Sequence, residues 1–337
     1  MKAVMCHAFG PPSTLTVEDV PEPMPGPGQV LIRVEAAAVN FADTLVIEGK
    51  YQQRPPFPFS PGGEVAGVVV KLGPDVDGPP VGTRVLAMIG HGGFAEAALS
   101  PAAIAIPVPE EVEPAVAASL SYAYGTTLYA LRDRGRMRAG ETVLVLGAAG
   151  GVGLAAVQVS KLLGARVIAA ASSAARLETC RKAGADMLLD YSGEGWRERL
   201  KTLKGGAGVD VVYDAVGGPY AEPALRSLAW GGRYLVIGFA AGDIPRIPLN
   251  LTLLKSCDIV GVFYGAFVQR DPAGNRAVMT QLLEWAQQGR LRPEISATYK
   301  LEDTAKALEA LRSRAVTGKV VVVPGSPSGP VGQAGAR

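Results

Sequence analysis

The stretch ETVLVLGAAGGVG, Glu141–Gly153, decides the fold that the sequence predicts. Its apolar run, Val143–Leu146, has no polar alternation, which is typical of a strand buried on both faces of a parallel sheet. Glycines follow at once, and then an Ala- and Leu-rich segment without proline runs to Gly164. Because glycine commonly ends helices, this segment is predicted to be a helix.

The glycine turn between strand and helix is suited to hold a phosphate. The first N–H groups of a helix have no partner within the helix, and the helix dipole adds partial positive charge. Set against the pattern G-x-G-x-x-G, the turn has Ala148, Gly150 and Gly153 at the three positions, with Gly147 and Gly151 beside them. Gly150 would let a pyrophosphate approach the backbone, and Gly153 would let the helix pack against the strand. A tight turn without a ligand is the alternative.

The composition indicates a globular protein of about two domains. The chain has 337 residues, 48% hydrophobic and 19% charged, with a net charge of +2. It has no dense Lys/Arg run that would suggest nucleic-acid binding, no secretory signal and no apolar run near the ~18 residues of a membrane span. Its cysteines are odd in number and far apart: Cys6, Cys180 and Cys257. This favours reduced thiols in a cytoplasmic setting over disulfides or a zinc cluster.

Residues 1–110 are predicted to form a small, barrel-like β domain. Proline and glycine separate short candidate strands at Lys2–Cys6, Val30–Ala37, Glu64–Leu72, Arg84–Met88, Ala95–Leu99 and Ile104–Val108.

From about Ala115 strands and helices alternate, which indicates a doubly wound parallel sheet of the α/β class. Helical segments at Pro114–Leu120 and Gly125–Leu131 come before the first strand. The predicted strands are Val143–Leu146, Arg166–Ala170, Met187–Asp190, Val209–Tyr213, Arg233–Ile237 and Ile259–Val262. Further elements are a helix at Arg276–Gln288, a strand at Ile295–Tyr299, a helix at Glu302–Arg312 and a strand at Lys319–Val323.

The last strand is expected to return to the first domain, which leaves the dinucleotide-binding domain inserted. The predicted limits are 124–263 for the inserted domain and 1–123 plus 264–325 for the other. The Gly-, Ser- and Pro-rich residues 326–337 are expected to be a disordered tail. Ligand sites favour domain junctions, so the catalytic cleft is expected there.

Six motifs carry a resemblance to a known family, and they occur in its order across both domains. They are VNFADTLVIEGKY (39–51), PGGEVAG (61–67), YGTTLYAL (124–131), GAAGGVGLAAVQ (147–158), DVVYDAVGG (210–218) and GVFYGAF (261–267). On these motifs the chain resembles the medium-chain dehydrogenase/reductase superfamily and, within it, the zinc-independent NADPH:quinone reductases (the zeta-crystallin group). The resemblance implies a Rossmann-type sheet inserted into a mostly β, GroES-like domain.

The resemblance also implies a homodimer. The apolar segment Cys257–Phe267 could expose a sheet edge for two-fold pairing, and it fits a buried core strand equally well.

The end of the second strand favours NADPH over NADH. In NAD-binding sheets an acidic residue there binds the ribose hydroxyls, whereas here Ser172, Ser173 and Arg176 follow the strand. Two hydroxyls and a guanidinium would hydrogen-bond and neutralise a 2′-phosphate. The alternative is that Ser172 caps the next helix and Arg176 is solvated.

The resemblance implies further contacts with the cofactor. They are Tyr191 near the adenosine phosphate, Ala215, Gly238, Phe239 and Ala240 along the sheet edge, Val262, Phe263 and Tyr264 near the nicotinamide, Thr127 at the domain junction, and Arg314 from the C-terminal segment. The predicted set also contains Asn40 and the turn residues Ala148, Gly150, Gly151, Val152 and Gly153. For the aromatic residues Phe239, Phe263 and Tyr264, a place in the core is an equal alternative.

The positions of a catalytic metal hold no metal ligands. Zinc alcohol dehydrogenases of the same superfamily bind the metal with a Cys, a His and a second Cys, and the resemblance matches these to Asn40, Gly63 and Ala123. Zinc needs three or four N, O or S donors, which His7 and His91 cannot supply alone. A metal-free enzyme is therefore expected.

Without a metal, a conjugated acceptor is the favoured substrate. Hydride addition to a simple ketone yields a basic alkoxide, whereas a quinone or an enone delocalises the charge and needs only positioning and hydrogen bonds. The predicted catalytic residues are Asn40 as a donor, Asp43 as an orienting group, and Tyr51 for stacking or donation. Turn-forming roles remain open for Asn40 and Asp43, and Glu64 is expected to be a structural ion-pair partner.

The predicted function is NADPH-dependent quinone reduction by hydride or electron transfer. A reductase of α,β-unsaturated carbonyls or enoyl thioesters is the nearest alternative. A crystallin-like protein that binds NADPH without turnover is the second. No nucleic-acid or membrane partner is expected.

Overall fold

The N-terminal strands form a β domain, as the proline and glycine spacing predicts, and the strands of its larger sheet pair antiparallel. The structure is a computed structural model that describes residues 1–203 and 206–325. A short pair comes first, β1 (Lys2–Met5) with β2 (Thr16–Asp19). The larger sheet contains β3 (Gln29–Val39), β4 (Glu64–Leu72), β5 (Arg84–Met88), β6 (Ala97–Pro101) and β7 (Ile106–Pro107).

A helix that the sequence pattern does not predict, α1 (Phe41–Ile47), lies between β3 and β4. It spans 7 residues, too few for a helical apolar periodicity to stand out among strands. Its start depends on Asp43, whose carboxylate accepts a hydrogen bond of 2.7 Å from the backbone N–H of Asn40. This helix places Asn40 and Asp43, two of the predicted catalytic residues, at the end of β3.

The predicted six-stranded parallel sheet is confirmed. Its strands are β8 (Thr142–Leu146), β9 (Arg166–Ala171), β10 (Met187–Asp190), β11 (Val209–Asp214), β12 (Leu228–Val236) and β13 (Asp258–Gly261). They lie in the order β10-β9-β8-β11-β12-β13, with every neighbouring pair parallel. The strand order reverses beside β8, and such a switch point is where doubly wound sheets bind ligands.

Helices lie before β8 and between the later strands. They are α2 (Pro114–Ala118), α3 (Thr126–Leu128), α4 (Gly151–Leu162), α5 (Ala174–Lys182), α6 (Trp196–Leu203), α7 (Ala221–Arg226) and α8 (Asn250–Lys255). The chain on either side of α3 is wound as π-helix, at Leu120–Gly125 and Tyr129–Arg134. The two predicted helical segments are therefore one nearly continuous helical stretch.

Strand β8 is buried on both faces, as its apolar run predicts. Val143 and Val145 pack into one hydrophobic cluster, with α4 residues such as Leu154. Leu144 and Leu146 pack into another on the opposite face. All four side chains of the run are inaccessible to solvent. The glycine turn is thus held at the end of a rigid strand.

The C-terminal segment returns to the first sheet. After α9 (Tyr264–Arg270) and α10 (Pro272–Gln287) come β14 (Ile295–Lys300), α11 (Thr304–Arg312) and β15 (Lys319–Val323). β15 pairs antiparallel with β3 and parallel with β14, which gives the sheet order β14-β15-β3-β4-β5-β7, with β6 also on β3. The numerical domain limits stay a prediction, and the predicted disordered tail, 326–337, lies outside the described residues.

The C-terminal segment also touches the glycine turn. Gly318, immediately before β15, donates a hydrogen bond of 3.1 Å to the carbonyl of Ala149, and it forms an isolated bridge with Gly150. Gly318 has a φ of +67°, a left-handed conformation that favours glycine. One residue later the chain enters β15, so the glycine turn and the first sheet meet at this point.

Candidate active site

A buried ammonium group, that of Lys319, lies where the two sheets meet. Its Nζ is 2.6 Å from Oδ1 of Asn40 and 3.4 Å from Oε2 of Glu64. The side chains of Lys319 and Glu64 are 4% and 0% exposed. Charges removed from water are tolerated only when they are paired and hydrogen-bonded. We call Lys319, Glu64, Asn40 and Asp43 the junction network.

The side chain of Asn40 is hydrogen-bonded to both charged groups, those of Lys319 and Glu64. Its Nδ2 donates to Oε2 of Glu64 at 3.0 Å and to the carbonyl of Ala38 at 3.3 Å, while its Oδ1 accepts from Lys319. Each polar atom of this side chain therefore has a partner within the protein. The structure gives Asn40 a positioning role, and its predicted contact with an acceptor or the cofactor stays a prediction. The expectation that Glu64 is an ion-pair partner is confirmed.

Lys319 connects the network to the glycine turn. A β-carbon added at Gly151 would lie 3.2 Å from Cδ of Lys319. The stem of Lys319 therefore runs along the start of α4, and its ammonium ends at Asn40 and Glu64. Sequence reasoning missed this residue. The signal that could have found it is a lysine at the first position of an apolar strand, Lys319–Val323.

Asp43, like Lys319 and Glu64, is a buried member of the network. One carboxylate oxygen accepts from the N–H of Asn40 at 2.7 Å and the other from the N–H of Gly63 at 3.1 Å. Burial raises the pKa of Asp43 to about 7, although these hydrogen bonds and the nearby Lys319 act in the opposite direction. Asp43 thus joins the ends of β3 and β4, which supports the predicted orienting role.

Tyr51, the third predicted catalytic residue, has a free hydroxyl. Its side chain is half-buried, and its oxygen has no hydrogen bond with any residue in 1–203 or 206–325. Burial and the neighbouring charge of Asp43 raise the pKa of Tyr51, so it stays protonated at neutral pH. This hydroxyl remains available as a donor.

Gly63 and Ala123, two of the three positions that match the zinc ligands of the related dehydrogenases, make backbone hydrogen bonds to other residues. Gly63 donates to Asp43, and the carbonyl of Ala123 accepts from Thr127 at 2.8 Å. Among the described residues, no group of three or more His, Cys, Asp or Glu side chains is placed to hold a metal ion.

The glycines of the turn differ in the space around them. A β-carbon at Gly153 would lie 2.2 Å from the carbonyl oxygen of Gly147, so only glycine allows α4 to start so close to β8. A β-carbon at Gly150 would meet no atom closer than 3.5 Å, so it would occupy open space in front of the helix. Gly150 is the N-cap of α4, and no side chain caps this helix. The open space and the uncapped helix start fit a phosphate group.

Two arginines and a tyrosine come together beyond the second strand. Nη2 of Arg176 donates to the carbonyl of Arg314, and Nη2 of Arg314 donates to the carbonyl of Ala240 at 2.8 Å. Both guanidinium groups lie close enough to Tyr191 to oppose the rise that burial causes in its pKa. The structure therefore brings together three residues from distant parts of the predicted set. Their two positive charges suit a phosphate.

The serines at the end of β9 have separate places. Ser173, not Ser172, is the N-cap of α5, and its Oγ accepts from the N–H of Arg176 at 3.4 Å. Ser172 is exposed beside it. Ser173 therefore caps the helix, a role for which the sequence offered Ser172. The exposed hydroxyl of Ser172 is available to a ligand.

The remaining predicted residues divide into loop and core positions. Ala215, Gly238, Phe239 and Ala240 follow β11 and β12, Val262 and Phe263 follow β13, Ala148 belongs to the glycine turn, and Val152 lies in the first turn of α4. These lie at the carboxyl ends of parallel strands, where ligands bind. Phe239 and Phe263 are exposed, at 37% and 56%.

The hydroxyls of Thr127 and Tyr264 are both hydrogen-bonded within the protein. The buried hydroxyl of Thr127 contacts the carbonyl of Ala123 and the hydroxyl of Tyr213 at 2.8 Å each. Tyr264 is 2% exposed, and its hydroxyl donates to Asn275 at 2.7 Å. The structure gives both residues packing roles, which for Tyr264 is the core alternative. Their contacts with a cofactor stay a prediction.

Comparison with known proteins identifies the family. The model of the alcohol dehydrogenase GroES-like domain matches residues 26–110, and that of the zinc-binding dehydrogenases matches residues 151–288. Quinone oxidoreductase-like protein 2 of Rattus norvegicus is 39% identical over 323 residues, which cover 95% of this chain and 91% of that protein. The chain belongs to the medium-chain dehydrogenase/reductase superfamily. It falls within the quinone oxidoreductase group, so the resemblance and the predicted GroES-like and Rossmann-type folds are confirmed.

Solved members of the superfamily have the same architecture. A probable oxidoreductase of Mycobacterium abscessus is 37% identical, with a TM-score of 0.87, and the match covers 96% of this chain and 99% of that one. Quinone oxidoreductase of Escherichia coli, solved with NADPH, is 29% identical, with a TM-score of 0.88 and coverage of 96% and 100%. No helix in the described part of this chain is long and apolar enough to cross a membrane.

Removing the ammonium of Lys319 is expected to destabilise the protein strongly. Lys319→Met leaves the buried carboxylate of Glu64 without its counter-charge, which should lower the free energy of unfolding by about 3–5 kcal/mol. Urea denaturation measures the loss. Lys306→Met is the matched control, because Lys306 pairs with Asp303 on the surface. This substitution should lower the free energy of unfolding by about 0.5 kcal/mol or less. The double variant Lys319→Met/Glu64→Gln should recover part of the loss. A single variant as stable as the wild type would contradict the assignment.

The raised pKa of Asp43 predicts a pH dependence of stability. An unfolded Asp has a pKa of about 3.9, so the native state holds an extra proton between that value and about 7. The stabilisation from this group is therefore complete below about pH 4 and is lost as pH rises towards 7. Denaturation of the wild type and Asp43→Asn across this range measures it. The free energy of unfolding of the wild type, relative to that of Asp43→Asn, should fall as pH rises. A difference that grows with pH would show that the folded state stabilises the ionised carboxylate.

Proposed function

We propose that this chain is an NADPH-dependent quinone reductase whose reaction takes place between the glycine turn and the junction network. The observation that carries the cofactor assignment is the meeting of Arg176 and Arg314 beside Tyr191, after a second strand that ends without a carboxylate. Solved relatives named quinone oxidoreductase, including that of Escherichia coli with NADPH, support the same reaction class.

The residues present fit a dinucleotide with an additional phosphate. The open space at Gly150 and the uncapped start of α4 would hold the pyrophosphate. Ser172, Arg176 and Arg314 would hold the 2′-phosphate, since guanidinium groups bind phosphates through charge-assisted hydrogen bonds. When bound, NADPH supplies a hydride, that is, one proton and two electrons.

The chain's own residues would position a conjugated acceptor. The polar groups of Asn40, Asp43, Glu64 and Lys319 bind one another and the neighbouring backbone. These contacts hold the end of β3 and the start of β4 together. The free hydroxyl of Tyr51 would donate to an acceptor oxygen. A quinone suits such a site, because its reduced oxygen is weakly basic and one or two hydrogen bonds are enough to stabilise it.

We propose that the protein is a homodimer. Strand β13 forms one edge of the six-stranded sheet, and no further strand pairs with it in the described chain. Large apolar side chains are exposed on neighbouring segments: Trp230, Ile244, Leu249, Leu253, Leu254 and Ile259. A second copy would cover both features. Sedimentation velocity tests this: a species of twice the chain mass supports pairing, and a monomer at micromolar concentration contradicts it.

We also propose a reducing, cytoplasmic location. Its support is that Cys6, Cys180 and Cys257 are buried and unpaired in the structure.

The activity is tested by following NADPH oxidation with benzoquinones, naphthoquinones and short enones as acceptors. Turnover with the quinones and hydroquinone formed in equal amount to NADPH consumed are the expected results. Enone reduction in place of quinone reduction would support the related alternative. Tight NADPH binding with no oxidation across all acceptors would contradict an enzymatic role.

Arg176 is expected to provide preference for NADPH. Arg176→Ala removes one charge-assisted contact with the 2′-phosphate, worth about 1.5–3 kcal/mol, and should raise the Kd for NADPH about ten- to hundredfold. The Kd for NADH should change little. Arg181→Ala is the matched control, since Arg181 lies on the same helix and pairs with Glu178 on the surface. An equal loss of affinity for NADPH and NADH would contradict the assignment of Arg176 to the 2′-phosphate.

A further inference from the structure

The side chain of Tyr122 fills the space in front of Gly63. A β-carbon at position 63 would lie 2.6 Å from the hydroxyl oxygen of Tyr122 and 3.1 Å from its Cε2. A side chain at position 63 and the hydroxyl of Tyr122 therefore exclude each other. Where the zinc enzymes of the superfamily place a metal ligand, this chain places a phenol.

The backbone of Tyr122 is fixed by the junction network. Its N–H donates to Oε1 of Glu64 at 2.9 Å, and Glu64 is the carboxylate that pairs with Lys319. The segment around it, Leu120–Gly125, is the π-helical stretch before α3. π-Helical turns are rare and occur frequently at functional sites. The backbone that carries the ring is thus anchored to the buried carboxylate of Glu64.

The hydroxyl of Tyr122 itself has no partner. No hydrogen bond joins it to any residue in the described ranges, and the side chain keeps partial access to solvent. Burial raises the pKa of Tyr122 well above its ordinary value, and the charges of Asp43, Tyr51 and Glu64 act in the same direction. A group held in this way stays protonated, so it is a hydrogen-bond donor that has no acceptor among residues 1–203 and 206–325.

We propose that the hydroxyl of Tyr122 donates a hydrogen bond to the acceptor's reacting oxygen and takes over the place of the missing metal. The inference rests on the proposed quinone reduction. In that reaction the quinone gains two electrons and one proton as a hydride, and its second proton comes from water. The O–H bond of Tyr122 stays intact: the residue stabilises the negative charge that develops on the oxygen and does not transfer its proton.

Removing this single oxygen atom tests the proposal. Tyr122→Phe should lower kcat/KM for quinones by about a hundredfold, the usual cost of losing one donor to a developing oxyanion. The Kd for NADPH should remain unchanged. Tyr299→Phe is the matched control, because Tyr299 lies on the edge strand β14 and its hydroxyl also lacks a hydrogen-bond partner in the described chain.

A second variant acts on the same hydroxyl from the opposite side. Gly63→Ala would push the tyrosine oxygen away, since the new β-carbon would lie 2.6 Å from it. It should therefore reduce kcat/KM as well, and Tyr122→Phe/Gly63→Ala should be no worse than the more damaging single variant. Independent, multiplying losses would overturn the assignment of both effects to one hydroxyl.

A binding measurement separates this inference from the proposed function. 4-Nitrophenol imitates a hydroquinone, and its ionised form absorbs visible light. With protein saturated with NADP⁺ near neutral pH, the bound phenol should be more ionised in the wild type and Tyr299→Phe than in Tyr122→Phe. If this difference is present while no quinone is reduced, the proposed function is wrong and the donor role of Tyr122 stands. If quinones are reduced and Tyr122→Phe matches the wild type in both measurements, the inference is wrong.

Discussion

The structure depends on one buried charge, the ammonium of Lys319, which lies between Asn40 and Glu64 at the junction of the two sheets. A lysine with 4% of its side chain exposed is stable only if its partners stay in place. Those partners are Asn40 at the end of β3 and Glu64 at the start of β4. The contact therefore joins β15 to the end of β3 and the start of β4, three strands of one sheet, beside the glycine turn of the other sheet.

The junction network also connects separate segments of the chain by hydrogen bonds and charge. In the zinc enzymes that the chain resembles, a metal would join the positions of Asn40, Gly63 and Ala123. Here Asp43 accepts the N–H of Gly63, Asn40 pairs with Glu64 and Lys319, and Glu64 accepts the N–H of Tyr122 beside Ala123. The hydroxyls of Tyr51 and Tyr122 have no hydrogen-bond partner in the part of the chain that the structure describes. We propose that they face the acceptor.

The sequence predicts the six-stranded sheet and the glycine turn well because both depend on local patterns. The alternation of apolar runs and the open position at Gly150 can be recognised within a few residues. The role of Lys319 cannot be recognised from a local pattern, because its partner Asn40 is 279 residues away in the sequence. Helix α1 is too short to show a periodicity. No motif reveals the buried hydrogen bonds that Thr127 and Tyr264 make with Tyr213 and Asn275.

A crystal structure of the protein with NADPH and a bound hydroquinone tests the account most directly. The account predicts the 2′-phosphate between Arg176 and Arg314, the pyrophosphate at Gly150, and the ammonium of Lys319 still between Asn40 and Glu64. It also predicts an acceptor oxygen within hydrogen-bond distance of Tyr122. An ammonium that leaves the network to bind the ligand, or an acceptor oxygen remote from the Tyr122 hydroxyl, would contradict it.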